Sequence, residues 1–186
     1  MATAKKKRPP YNQNATIRGA LRRAFARSPV VQEIMNESRR EEPRYKKDGS
    51  LAKKPWVKRQ CQVCSNWVGS TKIAVDHINP VVSVDDGFQD WNEFVDRLWC
   101  DKKNLQRICN DCHDVKTQHE RITRLTKQYT KELNDLETAI LFMRQGKNTW
   151  TSKELKKQLT KYTAKKKTKG LEPIVQRAQR LKDSLK

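Results

Sequence analysis

Apolar residues recur at helical spacing in six stretches of the chain, and polar neighbours mark where each begins and ends. Ile17, Leu21, Ala24 and Phe25 share one face of a helix that Asn14 can cap. Arg18, Arg22, Arg23 and Arg27 fill the remaining positions, so one face packs while the other is cationic. Ser28-Pro29, a cap followed by a first-turn proline, predicts a second helix to about Ser38. The run "EPRYKKDGSLAKKP", Glu42 to Pro55, holds two prolines and an Asp-Gly and reads as a loop.

Beyond Trp56 the pattern changes. "TKIAVDHI" predicts a short strand ending at Asp76-His77. "DWNEFVDRLW" sets Trp91, Phe94, Val95, Leu98 and Trp99 on one helical face, with Asp90 and Glu93 placed as a capping box. A long helix is predicted from about Val115 to Arg144, broken by Gly146 and Asn148. Thr151 and Glu154 repeat the capping-box pattern ahead of Leu155, Leu159 and Tyr162. After the basic linker "AKKKTKG", Ile174, Ala178 and Leu181 predict a last short helix. No internal repeat is present.

Composition sets the scale of the core. With 35% hydrophobic and 33% charged residues, the 186-residue chain suits a compact centre with polar, mainly helical flanks. The expected division is a disordered basic arm over 1–13, a basic helical extension over 14–55, a centre over 56–120 and a basic helical extension over 121–186. No stretch approaches the ~18 apolar residues of a membrane span, so no membrane partner is expected. "MATAKKKRPP" lacks the apolar segment of a secretory signal, which implies a cytoplasmic location, where paired cysteines more often hold metal than disulfides.

Charge changes the picture further. The net charge is +20, and it is unevenly spread. Residues 1–60 carry 17 Lys/Arg against 5 Asp/Glu, residues 61–117 carry 6 against 9, and residues 118–186 carry 18 against 7. Two basic arms around an acidic centre are suited to gripping a polyanion such as nucleic acid while the centre holds metal ions. A basic membrane-surface helix lacks the wide apolar face it would need.

All five cysteines lie in the centre. Cys61-x-x-Cys64 and Cys109-x-x-Cys112 are separated by 44 residues, and four thiolates complete a closed tetrahedral zinc site. Haem attachment at Cys109-x-x-Cys112-His113 would leave the first pair without a role, and a thioredoxin-type dithiol explains only one pair. Cys100 reads as a buried small hydrophobe. A plain zinc ribbon has a loop of about 15–20 residues between its pairs. Here the longer loop carries "VDHINPV", in which Asp76 can offer a hard oxygen to a divalent cation and His77 a nitrogen of near-neutral pKa to water. His113, beside Cys112, can be a second ligand to the same cation. An isolated Asp-His is ordinarily a hydrogen-bonded pair; the combination points to a site.

Cys-x-x-Cys, then Asp-His-Ile-x-Pro, then Asn-Leu-Gln-x-Ile-Cys-x-x-Cys-His-x-x-Lys-Thr resembles the HNH endonucleases of the ββα-metal, or His-Me finger, superfamily, in their zinc-stapled phage-type form. The likeness covers about residues 56–120. It implies an α+β fold: a small ββα-metal core stapled by a four-cysteine zinc site, flanked by mainly helical basic extensions. It also implies that His77 is the general base, that Asp76 and His113 hold a catalytic Mg2+ or Mn2+, and that Asn104 pins the loop between strand and helix and helps orient the base. Some members carry a further ligand four residues beyond the last histidine, where this chain has Thr117.

The implied activity is hydrolysis of DNA phosphodiester bonds, leaving a 5′-phosphate and a 3′-hydroxyl. The implied setting is a bacteriophage or other mobile element acting in the host cytoplasm, in homing or packaging. The expected partners are double-stranded DNA and, beyond it, phage packaging or replication proteins. Arg18, Arg22, Arg23, Arg107 and Lys116 are the candidate DNA contacts. The alternative is a non-catalytic zinc-ribbon nucleic-acid-binding or phage assembly factor, which would need none of Asp76, His77, Asn104 and His113.

Overall fold

The structure is a computed structural model that describes residues 10–147, 150–163 and 170–185 of the 186-residue chain. Residues 1–9 of the expected basic arm, Asn148 and residues 164–169 of the basic linker lie outside them. The described chain forms two units, one of residues up to Ser83 with Phe88–His113, the other of Val84–Gly87 with Asp114 onward.

In the first unit, α1 spans Gln13–Phe25 and α2 spans Pro29–Asn36. The cap of α1 is Asn12, whose side chain accepts from the Ala15 N–H at 2.9 Å; Asn14 lies inside the helix. Beginning two residues earlier extends the backbone hydrogen bonding while an equally good cap is retained. Three strands that the apolar pattern leaves unannounced then form an antiparallel sheet: β1 (Arg39–Glu42), β2 (Trp56–Gln60) and β3 (Trp67–Gly69), in that order. The sequence of β1, Arg-Arg-Glu-Glu, has no apolar alternation to read. It is an edge strand joined to β2 by its ladder and by the Lys58–Glu42 ion pair at 2.5 Å.

A second, two-stranded antiparallel sheet pairs β4 (Ile73–His77) with β5 (Leu105–Cys109), setting Asp76 opposite Gln106 and His77 opposite Leu105. Between them lies α3 (Trp91–Leu98), capped by the Asp90 carboxylate accepting from the Glu93 N–H at 2.9 Å. Phe94 and Leu98 are buried with Phe25, Val31, Ile34, Val81 and Leu105. Val95 and Trp99, expected on the same face, are exposed. The stripe through Trp91, Phe94 and Leu98 fills the packed side, and at 100° per residue the other two turn outward. Cys100 is only partly buried, at the edge of that cluster.

β5 runs directly into α4 (Asn110–Arg144), which therefore begins five residues before Val115. The second unit packs α4 with α5 (Ser152–Thr163) and α6 (Glu172–Asp183) around Leu133, Ile140, Leu155, Leu159, Tyr162, Ile174 and Ala178. The capping box of α5 is formed as expected: the Thr151 N–H donates to the Glu154 carboxylate at 2.9 Å and the Glu154 N–H to Thr151 Oγ1 at 3.3 Å. Six helices and two small antiparallel sheets among the described residues make the chain α+β. No described helix is long and apolar enough to cross a membrane.

Candidate metal centre and adjoining cleft

The two Cys-x-x-Cys pairs meet although 44 residues separate them in sequence. Cys61 and Cys64 sit in a tight turn between β2 and β3, where the Cys61 N–H donates to Asn66 O at 2.9 Å and the Ser65 N–H to Cys61 O at 2.9 Å. Ser65 takes a left-handed conformation, φ 60°, to make that turn. Cys109 ends β5, and Cys112 stands in the first turn of α4. Gln62 ties the halves together: its N–H donates to Arg107 O at 2.9 Å, and its side-chain oxygen accepts from the Arg107 N–H at 2.6 Å.

The four sulfurs lie within 4.8 Å of one another, with Cys64 and Cys109 3.8 Å apart. A tetrahedral zinc with ~2.3 Å bonds to sulfur sets its ligands ~3.8 Å apart. Burial pushes the Cys61 thiol up, but N–H groups of Cys64, Cys109 and Val63 outweigh it and hold the group at about 6. Cys112 is pushed up to about 12 by its hydrogen bond to Cys109, by burial and by the neighbouring Cys64 and Cys61 sulfurs. Four crowded sulfurs of one sign cannot all ionise without a cation among them, so the donor set fits a structural metal such as zinc. Among the described residues it is the one group of three or more His, Cys, Asp or Glu side chains that could hold an ion together.

One residue on, the helix turns by 100°, and His113 faces away from the sulfurs. Its Nε2 lies 3.9 Å from Asp76 Oδ1. Asp76, His77 and His113 line a single cavity of about 430 Å³ together with Arg22, Phe25 and Arg59. Strand alternation would send Asp76 and His77 to opposite faces, yet both border this cavity, because β4 ends there and the chain bends into Asn79-Pro80.

His77 is 6% exposed, and its Nε2 lies 2.9 Å from Leu98 O. A backbone carbonyl only accepts, so in the neutral ring the proton sits on Nε2 and the lone pair on Nδ1. The Phe25 ring packs on the imidazole at 5.0 Å between centroids and meets Trp99 edge-on at 5.9 Å. Asn104 holds the chain just past His77: its Oδ1 accepts from the Asn79 N–H at 2.8 Å, and its backbone carbonyl accepts from the Ile78 N–H at 2.8 Å. Its amide also lies 3.5 Å from the Cys100 sulfur, which gives Cys100 a polar neighbour at the edge of the core.

The candidate DNA contacts divide. Arg23 is exposed on α1. The guanidinium of Arg18 lies over Phe88 at 5.1 Å, and that of Arg22 over Phe94 at 5.6 Å, on the cavity wall. Lys116 pairs with Glu120 at 3.4 Å. Arg107 is not a surface cation. It is 7% exposed, and its Nη1 donates to Ile34 O at 2.7 Å and to Glu37 at 2.8 Å. In β5 it alternates onto the same strand face as the buried Leu105 and Cys109, and its guanidinium braces α2 rather than facing solvent.

Sequence reasoning did not find Phe25 or Arg59 at the cleft, or the Leu98 carbonyl. Phe25 carried only a core signal, Arg59 was one of many cations, and a backbone oxygen leaves no sequence trace. Against protein-family models, curated proteins and solved structures, the chain has no match.

Proposed function

We propose that the chain is a metal-dependent endonuclease of the HNH type that hydrolyses DNA phosphodiester bonds. The observation that carries this reading is the convergence of Asp76, His77 and His113 on one cleft beside a four-cysteine cluster. The β4–β5 pair leading straight into α4 supplies the ββα frame such a site needs.

His77 is the general base. With Nε2 committed to Leu98 O, Nδ1 takes the proton of the attacking water. The water oxygen bonds to phosphorus as the bond to the 3′ oxygen breaks, leaving a 5′-phosphate and, with a solvent proton, a 3′-hydroxyl. Asp76 and His113 would hold Mg2+ or Mn2+, which when bound offsets charge on the phosphate and the leaving oxygen. Asp76 Oδ1 and His113 Nε2 lie 3.9 Å apart, near enough that a carboxylate oxygen and an imidazole nitrogen could share one cation. Asn104 fixes Ile78 and Asn79 so that His77 keeps its bearing. Arg22 brings positive charge to the same cleft, and Arg18, Arg23 and the basic extensions hold the duplex backbone. Double-stranded DNA is the partner. A phage or mobile-element setting in the host cytoplasm, with packaging or replication proteins nearby, completes the proposal.

The deciding experiment incubates purified protein with supercoiled plasmid and Mg2+ or Mn2+, with and without EDTA, beside His77→Ala. Nicking or linearisation that needs the metal and is lost in the variant supports the reading. Intact plasmid that still shifts on a gel would replace it with a non-catalytic zinc-stapled nucleic-acid-binding or assembly factor.

A further inference from the structure

The outward face of the three-stranded sheet carries two tryptophans that no part of the core uses. Alternation along β2 puts Trp56 and Lys58 on one face, and the register brings Arg40 and Glu42 of β1 and Trp67 and Gly69 of β3 to the same face. Trp56 is 56% exposed and Trp67 38% exposed, and neither belongs to any of the three apolar clusters. The opposite face does the packing: Val68 joins the cluster around Cys61, and Arg59 donates to Met35 O at 2.7 Å.

The rings are held open and flanked by charge. A Cβ built on Gly69 would meet Trp56 Nε1 at 3.2 Å, so the indole lies close over the bare backbone of β3. The Lys58 ammonium sits 5.6 Å from the centroid of Trp56, and the Arg40 guanidinium 5.6 Å from that of Trp67. Glu42 anchors both cations, at 2.5 Å from Lys58 and 2.7 Å from Arg40, which leaves the face with a net positive charge. The loop joining β1 to β2 adds Arg44, Lys46, Lys47, Lys53 and Lys54 against Asp48, all exposed.

We infer that this face is a stacking surface for an unpaired stretch of nucleic acid. Exposed indoles interleaved with cations match bases whose faces are bare and whose phosphates need neutralising, whereas a duplex hides its base faces within its own stack. An acidic protein would match the charge but would leave the two rings without a stacking partner. The inference shares with the nuclease reading only the nucleic-acid partner. It does not depend on hydrolysis.

The test measures anisotropy of labelled oligo(dT) and of a blunt duplex of equal length, with no Mg2+ or Mn2+ added, so that nothing is cut and the cysteine site keeps its zinc. Wild type, Trp56→Ala/Trp67→Ala and Trp56→Phe/Trp67→Phe are compared, with zinc content and thermal midpoint confirming the fold. The alanine pair is expected to lose about tenfold or more in affinity for oligo(dT), the phenylalanine pair to recover most of it, and duplex affinity to stay the same. The slope of log affinity against log salt should also hold, because phosphate contacts are retained. No wild-type binding to oligo(dT), no loss in the alanine pair, or an equal loss on duplex would each overturn the inference. Plasmid nicking separates the two proposals: the alanine pair still nicks if only the stacking surface is lost, and His77→Ala, which loses nicking, still binds oligo(dT) because the stacking surface is intact.

Discussion

The Nε2 of His77 lies 2.9 Å from the carbonyl oxygen of Leu98, the last residue of α3, so the segment between the two strands of the small sheet fixes the tautomer of the ring. Long-range proton–nitrogen NMR should therefore find a protonated Nε2 and an unprotonated Nδ1 at neutral pH. The opposite tautomer would remove the basis for His77 as the base. In plasmid cleavage, His77→Ala should lower the rate by about 10²–10⁴-fold, the usual contribution of a positioned base, with zinc content unchanged.

Asn104 is expected to matter for rate more than for stability. Its side chain bonds the backbone of Asn79, partly exposed, so Asn104→Ala should cost about 1 kcal/mol in urea unfolding. Cleavage should fall by about tenfold or more, since the segment that positions His77 loses both side-chain ties to Asn104 and keeps only the Ile78 backbone bond. A loss of stability with full cleavage would reduce Asn104 to a turn residue.

The two CxxC pairs, Asp76-His77 and the helices of the second unit were legible because each is a local signal: spacing, a dipeptide at a strand end, an apolar stripe with caps. The strands β1 to β3 were not, because all are short, β1 and β2 are charged, and they are stabilised by cross-strand pairs and by the turn around Cys61 and Cys64. Arg107 was misread for a related reason. Its partners, Ile34 O and Glu37, come from a helix some seventy residues earlier, and nothing local distinguishes a buried cation from a solvated one.

Arg107→Met should destabilise the protein by about 1–3 kcal/mol, because Ile34 O loses a charged donor in a buried setting. Duplex affinity and its salt slope should not change, since the guanidinium does not reach solvent. A reduced salt slope would return Arg107 to the DNA contacts.

Zinc should be present at one equivalent per chain. A strong chelator should unfold the first unit, whose Cys61 and Cys109 are also core residues, while the α4–α6 unit keeps its own apolar cluster. Circular dichroism would then retain most of its helical signal while the tryptophan fluorescence of the first unit shifts, chiefly that of Trp91, which packs against Phe94. Simultaneous loss of all helical signal would contradict two separately stabilised units.

Glu132 gives the second unit a dependence on acid. Its carboxylate accepts from the Tyr162 hydroxyl, from Lys161 at 2.9 Å and from Gln128 at 2.8 Å. The Tyr162 hydrogen bond chiefly, against the opposing effect of burial and with help from Lys161 and Gln128, holds its pKa at about 2 where an ordinary glutamate has 4.5. Between those values the unfolded chain binds a proton that the folded one does not, so folding weakens as pH falls. The stabilisation is complete above the unfolded value and is lost as pH drops from about 5 towards 2. In Glu132→Gln the stability of the helical unit should be lower at neutral pH and should change less across that window, the two curves drawing together at its acid end. Parallel curves for the two proteins would mean that the carboxylate is equally easy to protonate folded and unfolded, and that the Tyr162 contact does not favour the charged form.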